Sequence, residues 1–395
     1  MSNQTELLEA IQRNKIEDAR ALLASPENIP DSIEPFRISK VFDSLIRANA
    51  FDIINVFIDN KLIETDIYDY DRLSGSVFET LFRSLKGDEQ SVTFVKELIP
   101  KLSSINDAVA DQTLLNLALS VRIDPAILKV LIDEGCAVNY VNNAEETYLH
   151  QIAKDQMLPV ELSTAYAQLL IDEGVDVNSG NIVQETPLMI AISRNKKELV
   201  EILLQNGAKS NEQNKDGETA YYQAVVHQGS YALYQKLREF DSPDFEQKNK
   251  NGEAFFFEYL RRLNNSSATS IDLLKALIED GADIHQTSTH YSVEKTGFDV
   301  LAEKPFDIFE TVIKATGLDI SHLDNSGNSL LHKVCAFNVN YDQNAARDTY
   351  KKVKLLLEMG ADANATNNQD ETPLMLASSD NLKIKTVELL MQQGK

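Results

Sequence analysis

The chain has 395 residues, is 43% hydrophobic and carries a formal net charge of −23. It can therefore bury a large core, while nucleic acid and insertion into an anionic membrane are disfavoured as its main business. Two cysteines, Cys136 and Cys335, exclude a disulfide-rich secreted framework, no apolar run approaches membrane-spanning length, and the first residues, with Glu6 and Glu9 interrupting Leu7, Leu8 and Ala10, lack the basic-then-apolar layout of a signal peptide.

In chain order, Leu7, Ala10 and Ile11 followed by Ala19, Leu22 and Leu23 predict a helix pair that exits at Pro26 and Pro30. Two further pairs are expected from about Val41 to Ile58 and from Val77 to Ile99. Between them Glu64–Asp71 is acidic and aromatic, a solvated finger or a contact for a basic partner, and the first reading is preferred because charge runs usually face water. From Thr113 the pattern sharpens: Leu128, Val130, Leu131 and Ile132 run into Gly135, and Thr147-Tyr148-Leu149-His150 opens a unit that closes at Gly174.

The clearest unit begins at Glu185-Thr186-Pro187-Leu188. Thr186 caps a helix through its side-chain oxygen, Pro187 fills the first helical position, and a second helix with Leu199, Val200, Ile202, Leu203 and Leu204 ends at Gly207. Equivalent starts fall at Thr5, Lys40, Ser76, Thr113, Thr147, Thr219, Ala254, Thr296, Ser329 and Thr372, and the steps from Thr186 to Thr219 and from Thr296 to Ser329 are both 33 residues. Turn formers such as Asn214-Lys215-Asp216-Gly217 and Asp324-Asn325-Ser326-Gly327 join the units. Extra residues are expected at 155–165, 264–270, 286–295 and 338–344, and Phe240-Asp241-Ser242-Pro243 replaces one closing glycine. The last unit keeps apolar residues up to Leu390 and stops at Gly394-Lys395, so another element is expected to cover it.

The threonine-proline-leucine start at Thr186 and Thr372, the glycine-alanine endings and the 33-residue step resemble the ankyrin repeat. The resemblance implies an all-α ankyrin-repeat solenoid of about eleven helix-turn-helix repeats with short β-hairpin fingers, a single array over 1–395 in which 1–110 is degenerate and 111–395 more regular. It also implies a non-enzymatic scaffold that binds another protein through its concave face and fingers, a monomer that works in the cytoplasm without a cofactor. The abundance of Asn, Lys and Ile resembles an AT-rich genome, and long irregular arrays resemble effectors that intracellular bacteria inject, which implies a host protein as partner and the host-cell cytosol as location. The alternative is the substrate-binding portion of a larger enzyme or a ubiquitin-ligase adaptor, for which Leu158-Pro159-Val160-Glu161-Leu162 resembles the opening of an F-box.

No catalytic or metal-ligand spacing stands out: the six histidines are scattered, and Cys136 and Cys335 occupy slots that other units fill with alanine, so both thiols are expected to be inert. His332 lies one helical turn before Cys335 but stands where the resemblance places a histidine of its own. Counting from the threonine register puts Tyr148, Gln151, Arg194, Gln223, His227, Phe255, Glu258, Arg261 and Arg262 on the partner-facing side of the middle units, with the long finger at His290 and Tyr291 as the second candidate; the alternative for Phe255, Phe256 and Phe257 is that they fill a widened core where the unit loses its usual proline. The paired arginines are expected to be removable without changing the thermal midpoint.

Overall fold

A computed structural model describes residues 3–393; Gly394 and Lys395, invoked above for the last unit, lie outside them. The chain divides into two compact units, one of residues 1–182 and 196–207 and one of residues 183–195 and 208–395.

The first unit holds α1 (Asn3–Gln12), α2 (Ile16–Leu23), α3 (Pro35–Arg47), α4 (Phe51–Asp59), α5 (Val77–Ser84), α6 (Glu89–Leu98), α7 (Leu114–Ser120), α8 (Pro125–Asp133), α9 (Tyr148–Lys154) and α10 (Val160–Asp172). It skips α11 (Pro187–Ser193) and takes up α12 (Lys197–Gln205). Odd-numbered helices pack on one another from α1 to α7, and even-numbered ones from α6 to α12. Each pair thus buries the apolar face that it could not bury alone. Leu117, Ala118, Leu128 and Leu131 are all fully or nearly fully buried at this contact.

The second unit begins with α11 and continues through α13 (Ala220–Tyr222), which a π-turn extends over Gln223–His227, then α14 (Tyr231–Arg238), α15 (Phe255–Arg262) and α16 (Ala268–Glu279). A hairpin of β1 (Ser288–His290) and β2 (Val293–Lys295) follows. The unit ends with α17 (Gly297–Glu303), α18 (Phe306–Thr316), α19 (Leu330–Ala336), α20 (Gln343–Glu358), α21 (Pro373–Ser378) and α22 (Ile384–Gln393). Here α15, α17, α19 and α21 form one packed row, and α14, α16, α18, α20 and α22 the other.

The cap positions account for the helix starts. Ser76, Thr113, Thr147, Thr186, Thr219, Ala254, Thr296, Ser329 and Thr372 each immediately precede a first helix. Thr186 Oγ1 accepts from Met189 N at 3.3 Å, and Thr219 Oγ1 from Tyr222 N at 3.1 Å. Gly207 closes α12 in the left-handed region (φ 85), where an L side chain would be strained. Two expected starts are corrected: Thr5 lies inside α1, and Lys40 lies inside α3, which Pro35 starts five residues earlier because its fixed φ suits the first helical position. Two of the insertions enlarge the second helix of the pair, α10 reaching 13 residues and α20 16. Where a glycine ending is missing after α14, Asn211 takes over, donating through Nδ2 to Asp241 Oδ2 (3.0 Å) and to the Ser242 carbonyl (2.8 Å).

Candidate functional site

The fingers of the second unit are built on one side-chain device. Asn214 Oδ1 accepts from the amides of Asp216 and Glu218, both at 2.9 Å, and Asn249 Oδ1 accepts from Asn251 (2.9 Å) and Glu253 (3.1 Å). An amide or carboxylate that bonds backbone two and four residues ahead holds a tight turn without a long hairpin. Each turn delivers a glutamate, Glu218 or Glu253, to the position just before a helix cap.

Those glutamates belong to a polar network. Glu218 Oε2 lies 3.0 Å from Gln223 Nε2 and 3.1 Å from His227 Nε2. The Tyr222 ring is 5.2 Å from that of His227, and its hydroxyl donates to Glu258, which also accepts from Asn249 Nδ2 at 3.1 Å. Glu258 is 3% exposed, as is Glu253. Buried carboxylates require partners, and both have them: Arg261 reaches Glu258 at 3.1 Å and Glu253 at 3.4 Å, Arg262 Nε donates to Glu258 at 2.8 Å, and His290 Nδ1 lies 2.5 Å from Glu253 Oε1. Burial raises the Glu258 pKa, but bonds from Tyr222 and Arg262 outweigh it, so the carboxyl sits below its ordinary value. The Tyr222 hydroxyl is pushed up by burial and by Glu258. The inner ends of the network are thus neutralised, while Arg262, His227 and Gln223 keep an outer surface.

His290 ties this network to the hairpin. Tyr291 and Ser292, the two loop residues, both have positive φ (49 and 62), the pattern of a type I′ turn usually made by Asn-Gly. Tyr291 projects from it 90% exposed, its ring 4.4 Å from that of His290.

Of the residues singled out in the sequence, Gln223, His227, Glu258, Arg261, Arg262, His290 and Tyr291 come together in this network. Arg194 belongs to the second unit and is exposed at the end of α11. Gln151 belongs to the first unit, where it accepts from Asn116. Two expectations are corrected. Tyr148 is fully buried with its hydroxyl 2.7 Å from Thr113 Oγ1, and Phe255 is 4% exposed, its ring centroid 5.2 Å from that of Phe245 and 6.5 Å from that of Tyr221. Both are first residues of a helix whose side chains turn inward, so neither offers contact surface. Arg261 and Arg262 are not a free contact pair, because both side chains compensate the buried carboxylate of Glu258. Glu218, Tyr222, Asn249 and Glu253 were missed; the glutamate just before the helix starts at Thr219 and Ala254 was the available signal.

The remaining candidates are structural. His332 Nδ1 bonds Ser329, its Nε2 lies 3.1 Å from the Ala365 carbonyl, and burial lowers its pKa; the Cys335 thiol is buried and pushed up to about 12, as is that of Cys136. Leu158 is buried, Pro159 caps α10 and Val160 begins it, so the F-box-like phrase is the start of an ordinary second helix.

Residues 161–249 match the family model described as ankyrin repeats, in three copies. Among solved structures, the ankyrin repeat domain of Bcl-3, a member of the IkappaB protein family, is similar at 20% identity and a TM-score of 0.47, over 61% of this chain and 98% of that one. The human ASB11 ankyrin repeat domain is similar at 19% identity and a TM-score of 0.43, over 63% of this chain and 98% of that one. No curated protein matches.

Proposed function

Ankyrin repeats run through residues 161–249 of this chain, and on that premise we propose that it is a non-enzymatic scaffold that binds another protein, with the outer ends of the second unit's polar network and the tip of its hairpin as the contact surface. Repeats of this kind serve as protein interaction modules. The observation that supports the site most is Tyr291: a large aromatic side chain 90% in water, on a loop that puts two non-glycine residues in the left-handed region. Such a backbone costs about 1–3 kcal/mol per residue. Tyrosine and arginine are also the side chains that most often anchor interfaces.

The proposal includes a single array over residues 1–395, a monomeric state, and a setting in which an injected bacterial protein acts on a host protein in the cytosol; composition is the support for the setting. The adaptor alternative draws no support from Leu158–Leu162, which begins α10. Affinity capture from a eukaryotic lysate tests the function. One stoichiometric protein supports the scaffold, co-purifying ubiquitin-ligase subunits support the adaptor, and nucleic acid released by salt overturns both. Limited proteolysis that releases a stable, separately folded fragment would overturn the single array.

A further inference from the structure

In the second unit neighbouring fingers are joined backbone to backbone at their tips. Lys215 N donates to the Val183 carbonyl (2.9 Å), Lys250 N to Asp216 (2.8 Å), Thr289 N to Gly252 (3.1 Å) and Asn368 N to Ser326 (2.9 Å). The series breaks at one place among the described residues, between the hairpin and the finger at Asp324–Asn328.

The register says which groups the break leaves open. Ser288 faces Lys295, Thr289 faces Glu294 and His290 faces Val293 around a two-residue loop. In such a hairpin the pair next to the loop exchanges hydrogen bonds and the next pair does not, so Thr289 and Glu294 point their backbone groups outward on opposite edges. Thr289 does so toward Gly252. Glu294 therefore turns its N–H and carbonyl away from β1, toward a cleft of about 320 Å³ lined by His285, Phe298, Leu323, Asn325 and Lys333 as well as by Glu294 itself. Asn325 N, the counterpart of the finger amides that donate elsewhere, has no backbone acceptor.

We propose that this cleft takes an extended segment of a partner protein, which adds a strand to the outer edge of β2. What is missing there is a peptide backbone, since a backbone fills the equivalent place at every other finger junction of the unit just described. The hairpin is already held from its other side: Ser288 Oγ accepts from Ala254 N (3.1 Å) and Lys248 Nζ donates to the Thr287 carbonyl (2.7 Å), so little ordering remains to be done on binding. The lining carries the carboxylates of Glu294, Asp299 and Asp324 against the single ammonium of Lys333, so the segment should carry a basic residue. A second copy of this chain is a poor occupant, because edge-to-edge pairing would set Glu294 against its own copy on a molecule of net charge −23.

This rests on the scaffold reading and fails separately from it. The probe is a surface-displayed library of random peptides of about ten residues, the length of a strand with flanks, selected on the full chain. Enriched peptides should carry Lys or Arg and slow hydrogen exchange at the Glu294 and Asn325 amides. Glu294→Pro removes the outward donor without removing a bond of the hairpin, and should weaken them by more than about tenfold. Glu294→Ala keeps the donor and should cost only about threefold, the scale of one exposed charge. If Glu294→Pro unfolds the hairpin, Asn325→Pro, at a turn position that favours proline, provides the same test from the facing finger. Undiminished affinity in both proline variants, exchange protection elsewhere, or self-association through this edge would overturn the proposal. A protein partner that survives Glu294→Pro but is lost with Tyr291→Ala would overturn it and leave the scaffold reading standing.

Discussion

Glu258 shows how a single side chain changes the meaning of its neighbours. On the sequence, Arg261 and Arg262 are adjacent basic residues on an acidic chain and read as a contact patch; in the fold they compensate a carboxylate that is 3% exposed. Replacing both by alanine should lower unfolding free energy by about 2–3 kcal/mol, since a buried charge then loses its charged donors and keeps only Tyr222 and Asn249. Adding Glu258→Gln to that variant should recover part of the loss in denaturant titrations. The pH dependence has a definite sign. The folded-state pKa of Glu258 lies below its ordinary value, so its stabilising contribution is present above the unfolded pKa and lost as pH falls through the folded one. Glu258→Gln alone should therefore lose less stability than the parent on acidification below about pH 4.5. The arginines were legible as a cluster but their partners were not, because burial of Glu253 and Glu258 depends on turns that bring separate helices together. Tyr148 and Phe255 were misplaced for a simpler reason: consecutive helical positions differ by about 100°, so an offset of one residue exchanges groove and core.

At the scale of elements, the helix starts were largely legible because they depend on local chemistry, a Ser or Thr followed by an apolar turn. The contacts that bind successive pairs were not. Lys196 Nζ donates to the carbonyls of Ile152 (2.6 Å) and Asp155 (2.5 Å), Lys304 to those of Arg261 (2.5 Å) and Leu263 (2.7 Å), Lys352 to Ala302 (2.8 Å) and Lys383 to Cys335 (2.8 Å). Each satisfies the orphan carbonyls at the end of an earlier first helix from 41 to 50 residues away, a separation at which sequence pattern carries no signal. Burial lowers the pKa of all four, that of Lys352 to about 8. Between pH 8 and the ordinary lysine value the unfolded chain then binds more protons at Lys352, so stability gained from that group rises with pH. Relative to Lys352→Met, the parent should gain about 1 kcal/mol from pH 8 to pH 9 in urea unfolding, the scale of one pKa unit; parallel profiles would remove the buried cation from the account. The hairpin loop makes a second element-level prediction. Tyr291→Asn with Ser292→Gly supplies the residues that a type I′ turn favours and should stabilise the chain by about 1 kcal/mol or more while weakening partner capture. A destabilised double variant would show that the loop residues are structural.

For the whole molecule, spacing and composition made the repeat legible over its regular part, and the family match over residues 161–249 contains the clearest unit, from the threonine-proline-leucine start at Thr186 to Gly207, while the second such start, at Thr372, lies outside it. The degenerate beginning misled at Thr5 and Lys40, where the local signals are weak. A net charge of −23 should make association with a basic partner fall with ionic strength. The central claim is that this chain binds a protein through the second unit's hairpin tip and network, and the dissociation constant of the captured partner for Tyr291→Ala against the parent tests it most directly. A rise of more than about tenfold, roughly 1.4 kcal/mol, with an unchanged thermal midpoint is the expected result; equal affinity of the two proteins would contradict it.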